Sequence, residues 1–103
     1  MRIEDVFSSK PRMKILKLIF QLGSLNVSDI SRRIGSNFSA TKKHLQVLEK
    51  EGILQLRTYG RIRMYRFNEV SPKAKAVQNL IEAWDQSERK KQIDGEKEKH
   101  VNG

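Results

Sequence analysis

The chain has 103 residues, 37% of them hydrophobic and none of them cysteine. That length points to one domain with a small core, and the missing thiols exclude disulfide staples and thiolate metal sites. The formal net charge of +9 is unevenly held: residues 1–71 carry 14 Lys and Arg against 6 Asp and Glu, whereas residues 72–103 carry 7 against 6. A surplus concentrated in one part of the chain suits a phosphate-binding face and exceeds what solubility needs.

The first residues already include Glu4 and Asp5, unlike a signal peptide, so the expected location is the cytoplasm. Ile3, Val6 and Phe7 recur at helical spacing. Ser8-Ser9-Lys10-Pro11 then starts a longer helix, with a hydroxyl cap and a proline in the first turn, where its missing N–H costs nothing. This helix runs to Leu22. Its apolar positions, Met13, Ile15, Leu16, Leu18, Ile19, Phe20 and Leu22, cover more than one stripe, so the upstream Ile3, Val6 and Phe7 or a second subunit must cover the excess. The apolar run from Ile15 to Leu22 is broken by Lys17 and Gln21 and is far shorter than the ~20 residues of a membrane span.

Gly23 closes that helix, and Asn26 caps a second one, with Asp29 three residues later completing a weak capping box. Val27, Ile30 and Ile34 form its inner face, while Arg32 and Arg33 point outward. Gly35 supplies a sharp turn, because positive φ is cheap only without a Cβ. A third helix follows, capped by Ser36 or Asn37 and ending before Gly52. Phe38, Thr41, Leu45 and Leu48 define its buried face, and Ser39, Lys43, Gln46 and Lys50 the opposite one, flanked by Ala40 and Lys42. Small residues at its start admit base edges, and the lysines behind them answer phosphate.

Two strands, Ile53 to Tyr59 and Ile62 to Asn68, are joined through Gly60. Both faces of the second strand hold apolar residues; our reading puts Tyr65 and Phe67 inward. Arg57, Arg61, Arg63 and Arg66 cluster on or near this hairpin, too many cations for an edge guarding only against aggregation. Ser71-Pro72 starts a last helix whose stripe of Val77, Leu80, Ile81 and Trp84 is one-sided. From Asp85 the sequence is almost wholly polar. Arg89-Lys90-Lys91 reads as solvated helix, and residues 95–103 are expected to be mobile.

The expected fold is mainly α with a small antiparallel β-hairpin: a winged helix-turn-helix with an added C-terminal dimerisation helix. Residues 1–70 would form the winged helix-turn-helix, 71–92 the C-terminal helix and 93–103 a flexible polar tail. Paired carboxylates on a common face, a Ser-His-Asp order in a plausible pocket, a phosphate-cradling glycine loop and an HExxH pair are all missing from the sequence, so a binding protein is expected rather than an enzyme, with no cofactor. His44 beside the buried stripe reads as a packed or hydrogen-bonded residue rather than a ligand.

Pro11-Arg12-Met13-Lys14-Ile15-Leu16, Val27-Ser28-Asp29-Ile30, Lys43-His44-Leu45-Gln46-Val47-Leu48-Glu49-Lys50-Glu51-Gly52-Ile53-Leu54, Gly60-Arg61 and Tyr65-Arg66-Phe67 together resemble the ArsR-type winged-helix transcription regulators. The resemblance spans roughly residues 8–68, its most specific element being the His-Leu-x-x-Leu-x-x-x-Gly-Ile-Leu run. It implies a homodimer, built largely from the first and last helices, that binds pseudo-palindromic double-stranded DNA and usually represses transcription. Many members sense metals through Cys or His; this chain has no Cys and only His44 and His100, so a regulator that does not sense metal is expected, with any small-molecule effector unassigned.

The third helix would lie in the major groove, with Ser39, Ala40, Lys43 and Gln46 nearest the bases and Asn37 and Lys42 near the backbone. Lys50, Arg57 and Arg63 would add phosphate contacts, and Arg61 at the wing tip would enter the minor groove. Ile3, Phe7, Val77, Leu80, Ile81 and Trp84 are the candidate dimer seam. Two other readings compete: a sequence-tolerant architectural protein that coats DNA, and a winged-helix protein-interaction module of a transcription assembly.

Overall fold

Helix caps divide the chain where the sequence places them. Ser9 Oγ accepts from the Arg12 amide at 3.3 Å, with Pro11 in the first turn; Asn26 Oδ1 accepts from the Asp29 amide at 2.8 Å and Asn37 Oδ1 from the Ala40 amide at 2.7 Å. The resulting elements run α1 (Ile3–Phe7), α2 (Lys10–Leu22), β1 (Ser24–Leu25), α3 (Val27–Ile34), α4 (Phe38–Lys50), β2 (Leu54–Tyr59), β3 (Ile62–Phe67) and α5 (Pro72–Asn102). The computed structural model describes the backbone of residues 1–102 and the side chains of residues 1–91; the flexible tail expected over 93–103 lies outside the residues described in full. Asp29 does not complete a capping box, because its carboxylate pairs with Arg32 at 2.7 Å.

Gly35, at φ 69° and ψ 36°, is left-handed and makes the tight turn that sets α4 across α3. The core sits where these two helices meet α2 and the sheet. Ile15, Leu16 and Ile19 of α2, Ile30 of α3, Leu45 and Leu48 of α4 and Leu54 of β2 are fully buried, each contributing about 1.5–3 kcal/mol of transfer free energy. Thr41, also fully buried, donates its hydroxyl to the Asn37 carbonyl at 2.8 Å, so no polar group is stranded beneath α4.

The sheet has the order β1-β3-β2, antiparallel throughout. Tyr65 and Phe67 point into the core as expected. β1 was not anticipated: two residues pairing with Tyr65 and Arg66 are too short to show a period. Among the described residues, no helix is long and apolar enough to cross a membrane.

Three expectations need correcting. Phe38 was placed on the buried face of α4, yet it is 51% exposed, because as the first helical residue it lies beyond the reach of α2 and opens into a surface cleft. Val77 and Ile81 were assigned to a dimer seam, yet both are buried in the core of their own protomer; helical spacing turns them inward with Ala74, leaving Leu80 and Trp84 outside. Arg66 does not join the wing cations: it lies at the base of the hairpin and pairs with Glu69.

Candidate nucleic-acid interface

α4 is 13 residues long, about 20 Å, and its underside is fastened by Thr41, Leu45 and Leu48. The same periodicity that buries those three turns Ser39, Lys43, Gln46 and Lys50 to solvent, all exposed, with Ala40 and Lys42 half-buried on the flanks. Asn37 is exposed at the N-terminal end, its carbonyl oxygen held by the Ala40 amide and its NH2 group left outward. Among the described residues, Lys42, Lys43 and Lys50 make no ion pair, whereas Arg32 and Arg66 are neutralised by Asp29 and Glu69. These three lysines are thus open to an anion, as are other surface cations such as Lys10, Lys14 and Arg33.

The wing stands beside this helix. Tyr59 pairs with Ile62 across Gly60-Arg61, and positive φ is confined to Gly60 at 63°, the pattern of a two-residue type II′ hairpin. Arg61 therefore sits at the extreme tip. The register sets Arg57 opposite Met64 and Thr58 opposite Arg63, so Arg57 and Arg63 lie on opposite faces of the hairpin. Only Arg63, with Arg61, faces α4, across a cleft of about 330 Å³ that also holds Lys42, Phe38 and Ile62. Arg57 is exposed on the outer face. The structure thus joins most of the expected site residues on one side and sets Arg57 apart.

Residues that sequence reasoning missed lie beneath and beside this surface. Arg12 of α2 donates through Nε to His44 Nδ1 at 3.2 Å and through Nη1 to the Asp5 carbonyl at 2.9 Å, tying α4 to α2 and to α1. Burial, and then the Arg12 charge, lower the His44 pKa below its usual 6.5. The imidazole is therefore neutral at physiological pH, with its proton on Nε2. The clue in the sequence was its place next to the buried stripe; its partner, 32 residues away, could not be read there. Phe38 could have been found from its position directly after the cap, where a side chain has no preceding turn to pack on.

The sequence model of the family described as "Bacterial regulatory protein, arsR family" matches residues 9–55. Over 47 residues the chain is 43% identical to the uncharacterized HTH-type transcriptional regulator YfiV of Bacillus subtilis (strain 168), covering 46% of this chain and 29% of that protein. The chain therefore spans less than a third of the length of this curated relative. Among solved structures, the transcriptional repressor BigR from Xylella fastidiosa superposes with a TM-score of 0.70 at 23% identity, covering 82% of this chain and 81% of that one. The homodimeric winged helix-turn-helix DNA-binding domain Mb0332 from Mycobacterium bovis gives 0.65 at 23% identity, covering 80% and 73%. The chain is therefore a winged helix in which residues 9–55 match the arsR-family helix-turn-helix domain.

Proposed function

We propose that this protein is a transcription regulator that binds duplex DNA as a homodimer and represses by occupying its site. The observation that carries the reading is the outward face of α4, where Ser39, Lys43, Gln46 and Lys50 are exposed and the lysines are unpaired among the described residues, beside a wing tipped by Arg61. An α-helix fits the ~12 Å width of the major groove by its diameter, and a cation on a hairpin beside it reaches the adjacent minor groove. The matched arsR-family domain and the fold shared with DNA-binding relatives support the same assignment.

The homodimer reading rests on an apolar surface between α1 and α5. Two adjoining grooves share Phe7 and Leu80; Ile3 lines one and Trp84 the other. Ile3 is 71% exposed and Trp84 64%, so this surface is unsatisfied in one protomer. Paired about a two-fold axis, two copies would present their α4 helices to successive major grooves about 34 Å apart. We read the regulator as one that does not sense metal: it offers no thiolate, and His44 Nδ1 is already committed to Arg12.

Selection of bound sequences from a random duplex pool at physiological salt tests this function. A specific regulator yields an enriched, two-fold-symmetric site. An architectural DNA-coating protein, the reading favoured by three lysines on the α4 surface, yields no enrichment despite binding. Failure to bind any duplex rejects both.

A further inference from the structure

The cleft between α4 and the wing has a mixed chemistry that simple phosphate contacts do not explain. Phe38 and Ile62, 51% and 56% exposed, are the exposed apolar residues on its rim, over Val27 and Tyr65; Lys42, Arg61 and Arg63 are its cations, and Asn26 and Ser28 its uncharged polar residues. Among the described residues, no acidic side chain lines it. A small anion would leave Phe38 and Ile62 in water; an apolar ligand would strip water from three cations with no compensating charge. A nucleic-acid strand alternates sugar edges that are largely hydrocarbon with phosphates that are fully charged, and so matches both parts.

Position selects the same occupant. With α4 in a major groove and Arg61 at the neighbouring minor groove, the wall separating those grooves is one sugar–phosphate strand, and it must run between helix and wing. β1 leaves room for it. Ser24 and Leu25 pair only with Arg66 and Tyr65, so from Ile62 to Met64 the edge of β3 away from β2 carries no strand, and Ile62 and Arg63 border the cleft.

We propose that this cleft seats one sugar–phosphate strand of the duplex, with Phe38 and Ile62 packed on deoxyribose and Lys42 and Arg63 on the phosphates around it, while Arg61 reaches past the strand into the minor groove. The inference rests on the DNA-binding reading above and adds an apolar, charge-independent component to it. Charge and apolar contacts differ in their response to salt: each phosphate contact releases counterions and steepens the fall of affinity with salt, whereas a sugar contact leaves that slope unchanged.

The experiment measures the affinity of the full chain for a 20-base-pair duplex over a range of salt concentrations by fluorescence anisotropy, a length of about two helical turns. Phe38→Ser and Ile62→Ser are each expected to weaken binding about fivefold at every salt concentration, with parallel slopes. Lys42→Ala is expected to lower the slope by about 1 per protomer. Circular dichroism checks that each variant is folded, and the exposed Ile62 decides the matter should Phe38→Ser unfold. Unchanged affinity in the serine variants, or a slope that falls with them, overturns the sugar contact while leaving DNA binding intact. A wild-type chain without affinity for the duplex overturns the DNA-binding reading and this inference together.

Discussion

His44 links α4 to α2 through one hydrogen bond that requires a neutral ring. Arg12 Nε donates to Nδ1, which accepts only when unprotonated, and protonation would also set two cations side by side. Burial and the Arg12 charge lower the folded-state pKa, so the unfolded chain takes up the proton first as pH falls. The stabilisation is therefore whole above about pH 6.5 and is lost as pH falls through the folded value. His44→Asn keeps an acceptor for Arg12 and cannot titrate. Its melting temperature should fall less than the wild type's between about pH 7.5 and pH 5. Equal falls in the two proteins would show that His44 carries no such linkage. Phe38 shows where spacing alone misleads: it falls on the buried stripe, but its place as first residue of α4, directly after the cap, leaves it exposed.

The helices were readable because each carries its own punctuation. Asn26 and Asn37 cap α3 and α4 through bonds of 2.8 and 2.7 Å, and Gly35 turns one into the other, all local chemistry that the sequence states directly. Asn37→Ala should cost about 1 kcal/mol in denaturant unfolding and speed amide exchange at Ala40, whose N–H it caps. Unaltered exchange there would contradict the cap. What depends on distant partners was less readable. β1 exists because Tyr65 and Arg66 lie beside it, and the separation of Arg57 from Arg63 follows from a register that Gly60 sets at the turn. The four wing arginines looked like one cluster in sequence; the pleat and the Arg66–Glu69 pair divide them.

At the scale of the molecule, two contrasting surfaces stand out among the described residues. One, around α4 and the wing tip, is cationic and polar; the other, between α1 and α5, is apolar and open. The α5 stripe is one-sided, as its sequence spacing indicates, but the protomer's own core takes Val77 and Ile81 and leaves Leu80, Trp84, Ile3 and Phe7 exposed, the residues of the proposed seam. Leu80→Glu with Trp84→Glu should halve the mass in solution, from dimer to monomer, while keeping the helical content of the wild type. A wild-type chain already monomeric at micromolar concentration would remove the seam from the account.

The central claim is that the outward face of α4 and the wing tip hold duplex DNA. Its most direct test is the affinity of Lys43→Ala/Arg61→Ala for double-stranded DNA in dilute buffer beside the wild type. The account predicts tight, salt-sensitive binding by the wild type and a loss of about ten- to a hundredfold in the double variant, with the salt slope lower by about 2 per protomer. Equal affinity of the two proteins, or no attraction of the wild type to the duplex, would contradict it.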